Sequence, residues 1–308
     1  MDGAWFNFSF TDFSYAFLSV LLEGVPFILL GTLLSGVIDQ FLPSRIMVRY
    51  LPRNVFLGVC VSAAMGMIFP MCECGIVPVI RRLMAKGLPV SNAIAYMLAA
   101  PIVNPIVALS TYAAFKGQNA VEFTVLRLAV GFIVAVLVAL AVHNLAVTTV
   151  LKKGILTLTN AEPTGGMPLP AGGFLGRIAA ALRVAVADFL DVMVYFVLGV
   201  AVASVFSTAI NQEVILPLAL NDWLAVASLM GLAGILSLCS TSDAFIAATF
   251  IAFPGVAKLA FMVFGPMMDL KLLFIYSSVF KTRFVLGLAV GLFVLIGLIC
   301  VRLTVVGI

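Results

Sequence analysis

The sequence predicts an all-α integral membrane protein made of two related halves that enter the bilayer in opposite senses. Three observations carry this. Of 308 residues, 64% are hydrophobic and 10% charged, whereas soluble domains run at roughly half apolar and about a quarter charged. Long apolar runs recur along nearly the whole chain, and a helix needs about 20 such residues to cross the hydrocarbon core. An offset of 165 positions superimposes Glu23 on Asp188, Cys74 on Cys239, Pro101 on Pro266 and Asn104 on Asp269; one register kept over so many unusual positions marks an internal repeat.

The first repeat covers 14–146 and the second 178–302. Between them, 147–177 contains EPTGGMPLPAGG and reads as a cytoplasmic Gly/Pro linker. Each repeat opens with a long apolar helix, 14–38 or 180–206, followed by an apolar stretch that ends at a cysteine, 54–71 or 222–238. A short segment comes next, 76–85 or 243–253. Ten or so helical residues at 1.5 Å each fall far short of a bilayer, so stretch, cysteine turn and short segment read together as a re-entrant hairpin, a shape tolerated only inside protein or beside a water-filled cavity. Two long helices complete each repeat, 88–115 and 121–145 or 256–280 and 284–302. The prolines and Asn104 of APIVNP predict a break in the first of these, with GPMMD its counterpart.

Charge decides between this count and eight full spans. With three spans and one hairpin per repeat, Arg45, Arg49, Arg53, Arg81, Arg82, Lys86, Lys152, Lys153, Arg177, Arg183, Lys281 and Arg283 share one side, which the positive-inside rule makes cytoplasmic. Asp2, Asp12, Lys116, Glu122, Glu213 and Asp222 take the other. Eight full spans would split the basic loops between the two sides. Three spans is an odd number, so the second repeat is inverted and the N-terminus lies outside. No Lys or Arg precedes Arg45, so the first helix is not a signal peptide. The net charge of +4 sits at the ends of apolar runs and reads as topology, which excludes nucleic acid as a partner.

In inverted-repeat carriers, solute sites lie near mid-depth at interrupted helices. The strongest local signal is FPMCECGIVP, where Pro70, Gly75 and Pro78 bracket Cys72, Glu73 and Cys74. Its counterpart holds Cys239, Ser240, Thr241, Ser242 and Asp243. The inverted two-fold brings these turns together, so Cys72, Cys74 and Cys239 make a three-thiol pocket, with Ser240, Ser242 and Asn104 as further contacts. Sulfur selects soft acceptors, and a trivalent arsenic or antimony centre suits such a pocket. Cys60 and Cys300 read as small apolar packing residues.

Ionisable residues inside spans default to functional hypotheses. Glu23, Glu73, Asp188, Asp191, Asp243 and Asp269 are the acids so placed, and they are the proton-coupling candidates. Arg127 begins a span and is expected to snorkel to the interface. Ser242 and Asp243 have no His or Lys arranged as in a hydrolytic triad, so no enzyme is predicted. No GxxxxGK[ST] occurs either, which leaves ion or potential gradients as the energy source.

The motifs CECGIVPVIRRLMAKG, APIVNP and CSTSDAFIA together resemble the ArsP-type predicted permeases, over essentially the whole membrane region. The resemblance implies a bacterial or archaeal inner-membrane permease, some of whose relatives export trivalent arsenicals, and it carries over Cys72 or Cys74, with Cys239, as substrate-contacting. The expectation is a multi-pass secondary transporter in the cell inner membrane that exports a small inorganic or organometalloid solute by alternating access. It needs no cofactor, and a homo-oligomer stays open. A membrane thiol–disulfide electron carrier and a metalloid channel are the alternatives.

Overall fold

The computed structural model describes residues 9–42, 52, 54–152, 173–209 and 222–306. Arg45, Arg49, Arg53, Lys153, Glu213 and most of the linker lie outside the described residues. The elements are helical, in the order α1 (Phe10–Phe41), α2 (Val55–Ala64, extended by a 3-10 turn Met65–Met67), α3 (Ile76–Ala85), α4 (Val90–Ala99), α5 (Pro105–Ala114), α6 (Ala120–His143), α7 (Gly173–Ala209), α8 (Asp222–Leu236), α9 (Asp243–Thr249), α10 (Gly255–Met267), α11 (Leu270–Val279) and α12 (Thr282–Val306), with a single helical turn at Val147–Val150. Among the described residues there is no strand; Leu151 and Phe280 form an isolated bridge.

Elements six apart in this order correspond, and the sequence explains why they begin where they do. Pro89 and Pro254 precede α4 and α10 with nearly the same extended backbone, so the chain enters both helices alike. Asn104 caps α5 through its side-chain oxygen on the Ile106 N–H, and Asp269 caps α11 on the Leu272 N–H. A side-chain acceptor there satisfies a backbone donor that a helix start leaves bare. The expected break is therefore present in both halves: the run 88–115 becomes two ten-residue helices, and α10 and α11 are parted at Met268.

Five helical segments of the described residues are long and apolar enough to cross a membrane: Phe10–Phe41, Ala120–His143, Leu175–Thr208, Gly255–Val279 and Thr282–Leu303. By contrast α2 and α3 have 10 residues each, about 15 Å of helix apiece against a core of about 30 Å.

Packing repeats as the elements do. α2 packs on α4 and α6 as α8 packs on α10 and α12, while α3 crosses to α11 as α9 crosses to α5. α4 and α10 form the buried centre, with Ser91–Ala99 and Val256–Met267 buried throughout. α1 and α12 turn Leu18, Leu22 and Leu30, and Leu286, Val290 and Leu298, outward, as lipid-facing helices do.

α1 lies against α7, and the two run antiparallel. Arg177 stacks over the Phe41 ring, Ser35 bonds Asp188, and Gly24 meets the Phe196 ring. The start of α12 likewise returns to the end of α6, where the Lys281 ammonium donates to the Thr148 carbonyl at 2.6 Å and the Lys281 N–H to Val150 at 3.0 Å.

Candidate functional site

The first cysteine turn is held by backbone contact. Gly31 of α1 has no room for a side chain, because a Cβ there would collide with the Gly75 carbonyl. Gly75 in turn lies against the Phe27 backbone, and the Tyr96 hydroxyl of α4 donates to the Phe69 carbonyl at 3.3 Å. Thus α1 presses directly on the CxC turn. The second turn closes on itself: the N–H groups of Ser242 and Asp243 both donate to the Cys239 carbonyl at 3.0 Å, and the Thr241 hydroxyl reaches the Cys239 sulfur at 3.6 Å.

The two turns meet. Cys72, Glu73, Cys74, Cys239 and Lys271 line one cavity with Val20, Glu23, Gly24 and Phe27 of α1 and Phe196 of α7. Cys74 is buried, and Cys72 and Cys239 are half-buried. The space is about 10 Å³, roughly one water's worth. Among the described residues no three of His, Cys, Asp and Glu converge tightly enough to hold a metal ion, so the thiols share a cavity and not a preformed cage. Cys60 and Cys300 lie outside it and pack with the apolar core.

Lys271 connects the turns. Its ammonium donates to the carbonyls of Ser237 at 2.8 Å and Leu238 at 3.1 Å, just before Cys239, and to Glu73 Oε1 at 3.4 Å, between the other two thiols. Asp269 Oδ2 stands 3.2 Å from the same nitrogen, although its direction forms no hydrogen bond, so that contact is chiefly coulombic. Glu73 Oε2 also has no hydrogen-bond partner. Two carboxylates share one ammonium where charge is costly to bury.

Arg127 corrects the sequence reading. It does not snorkel: it is 0% exposed, and it lies seven residues into α6, about 10 Å from that helix's start. Its guanidinium donates to the Thr111 hydroxyl of α5 at 2.8 Å, the Ser240 carbonyl at 2.9 Å and both oxygens of Asp243 at 2.9 and 2.8 Å.

Asp188 and Asp191 meet the basic end of α3. Arg82 pairs with Asp188 through two nitrogens at 3.0 and 2.9 Å, and the Ser35 hydroxyl donates to Asp188 at 2.7 Å. Arg81 reaches the largely exposed Asp191 at 3.1 Å, and Asp39 of α1 stands 3.7 Å from Arg82.

Of the residues singled out from sequence, Cys72, Cys74, Cys239, Glu23 and Glu73 come together around one cavity, and Asp269 adjoins it through Lys271. Ser240, Ser242 and Asn104 do not line it: Asn104 caps α5, the Ser240 carbonyl serves Arg127, and the Ser242 hydroxyl turns back to the Cys239 carbonyl. Sequence reasoning missed Lys271, Arg127 and Phe196 as parts of this region. The two cations carried a signal, since each interrupts an apolar run away from its nearest end. A larger cavity, about 260 Å³, lies elsewhere among the described residues, between Phe123, Leu126, Val256 and Leu259 with Glu122 beside it; it offers no soft donor.

Membrane-length helices, two broken apolar runs and a thiol-lined cavity between the two cysteine turns define a multi-pass membrane protein with a candidate site inside it. The chain matches the ArsP_1 family, described as a predicted permease, over residues 9–307, and it belongs to that family. It is 39% identical over 280 residues to the UPF0718 protein YcgR of Bacillus subtilis (strain 168), covering 90% of this chain and 92% of that one. It is 36% identical over 271 residues to a protein of Streptococcus mutans serotype c provisionally named as a two-component membrane permease complex subunit, covering 88% and 87%. No solved structure matches.

Proposed function

We propose that this permease moves a small thiophilic solute, trivalent arsenicals first, out of the cytoplasm by alternating access, with Cys72, Cys74 and Cys239 as its contacts. The observation that carries the reading is the single cavity lined by thiols from both halves. A trivalent arsenical RAs(OH)2 exchanges hydroxyls for thiols: each As–O bond that breaks is replaced by As–S, and the thiol proton leaves with the hydroxyl as water. The exchange is neutral overall, so a buried pocket gains no charge from it. A cavity of about 10 Å³ is too small for such a solute, and on this reading the turns separate to admit it. Glu23 at the cavity wall, with Glu73 and Asp269, are the acids placed to couple this to a proton gradient. Asp188, Asp191 and Asp243 each face an arginine, which suits them to holding helices together.

The test is flux of methylarsenite into everted vesicles or proteoliposomes. Cys74→Ser with Cys239→Ser should reduce it to the level of empty vesicles, and undiminished flux in that double variant refutes the thiol site. A thiol–disulfide carrier would instead show a Cys74–Cys239 disulfide that cycles in cells. We also carry over, from the name of the Streptococcus mutans relative, a partner subunit, to be sought by co-purification from native membranes.

A further inference from the structure

The second cysteine turn is gripped on both sides by cations. Before Cys239, the carbonyls of Ser237 and Leu238 accept from Lys271, which belongs to the same half. After it, the Ser240 carbonyl and the Asp243 carboxylate accept from Arg127, which belongs to the other half. Because Ser242 and Asp243 donate their N–H groups to the Cys239 carbonyl, holding residues 240 and 243 fixes the backbone that carries the thiol. Arg127 is itself held by the Thr111 hydroxyl of α5, and that hydroxyl donates to the Val107 carbonyl at 2.7 Å. The line of contact therefore runs from α5 and α6 of the first half into the turn of the second.

Only a planar fork serves this geometry. One terminal nitrogen takes the hydroxyl and the other takes both the carbonyl and the carboxylate, whereas a lysine presents a single point of charge on a shorter stem. Arg127 is fully buried, so its bonds are not exchanged with water. It does not line the cavity.

We propose that Arg127 is a positioning residue for the transported solute: it sets Cys239 of the second half against Cys72 and Cys74 of the first, so that a trivalent centre is bound by thiols of both halves. This rests on the thiol site proposed above and assigns the group that registers its two sides.

The experiment uses the full chain in nanodiscs, with Cys60 and Cys300 changed to Ser and a protease site inserted in the Gly/Pro linker. The thiols are bridged with dibromobimane, which fluoresces once both its arms are alkylated, and the chain is then denatured and cleaved. Halves stay joined when Cys239 is bridged to Cys72 or Cys74, whereas a Cys72–Cys74 bridge leaves fluorescence on the first half alone. With Arg127 present the halves should stay joined. In Arg127→Lys and Arg127→Gln the joined fraction should fall at least about fivefold, while first-half fluorescence is kept or rises; a general loosening of the fold would lower both. The KM for methylarsenite should rise about tenfold in the same variants. Should they fail to fold, Thr111→Val removes the partner of one arm of the fork and Asp243→Asn takes the charge and one acceptor from the other, and both should give partial losses of the joined fraction. A folded Arg127→Gln, or failing that both milder variants, with an undiminished joined fraction overturns the assignment. Halves that separate even with Arg127 present overturn the thiol site itself.

Discussion

Lys271 is the residue on which the charge balance of the site turns. Its ammonium faces two carboxylates, Glu73 and Asp269, and two carbonyls, all within 3.4 Å. Removing one partner of a buried pair leaves the other charge uncompensated, at about 3–5 kcal/mol. Lys271→Met strands two acids, whereas Glu73→Gln leaves Asp269 to balance the lysine. Thermal unfolding in detergent should therefore show a much larger loss for Lys271→Met than for Glu73→Gln, and equal losses would mean the carboxylates are not both charged partners of this lysine. The thiols of this site were legible in the sequence because CxC between prolines is an unusual pattern in an apolar run. The lysine was not singled out, since a cation in a membrane chain is ordinarily an interfacial anchor, although its place inside the run 256–280 argued against that. Only the fold carries Lys271 inward, where the Asp269 cap starts α11 beside the second turn.

At the scale of elements, close approach of α1 to the first turn depends on glycine. A Cβ at Gly31 would meet the Gly75 backbone, which cannot swing aside as a side chain can, while Gly287 and Gly291 of α12 have nothing within 4 Å of such an atom. Gly31→Ala should thus lower stability by about 1–3 kcal/mol, the usual penalty of overpacking, and reduce flux by shifting the CxC turn. Gly287→Ala and Gly291→Ala should leave melting unchanged or raise it slightly, as Ala favours helix. A melting temperature for Gly31→Ala matching those controls would show that α1 does not press on the turn. The helices themselves were readable: 76–85 was expected and Ile76–Ala85 is found, and the broken runs were expected at the prolines. Hidden from sequence were the partners of each helix. Periodicity says which residues are apolar, and in a membrane chain nearly all are, so it does not say which face meets protein and which meets lipid.

For the whole molecule, several of the ion pairs cross between the halves. Arg81 and Arg82 of the first reach Asp191 and Asp188 of the second, Arg127 reaches Asp243, and Lys271 reaches back to Glu73. The repeat was visible as one offset in the sequence, but these contacts were not, because none pairs a residue with its own counterpart. Inversion of the second half is the proposal that ties them together. Two corresponding pairs support it: α1 runs antiparallel to α7, and α12 begins where α6 ends, with Lys281 on the Thr148 carbonyl. Gln118 and Thr148 flank α6, a 24-residue helix of about 36 Å, and both are exposed. If the basic end is cytoplasmic, Thr148→Cys should react with a membrane-impermeant maleimide only in everted vesicles, and Gln118→Cys only in intact cells. Arg283→Cys, at the start of α12, should label with Thr148→Cys although its counterpart in the first half, Gln118, labels from the opposite side. Labelling of positions 118 and 283 from one side would mean that the halves are parallel, and the thiols would then have to reach their shared cavity by a route other than an inverted two-fold.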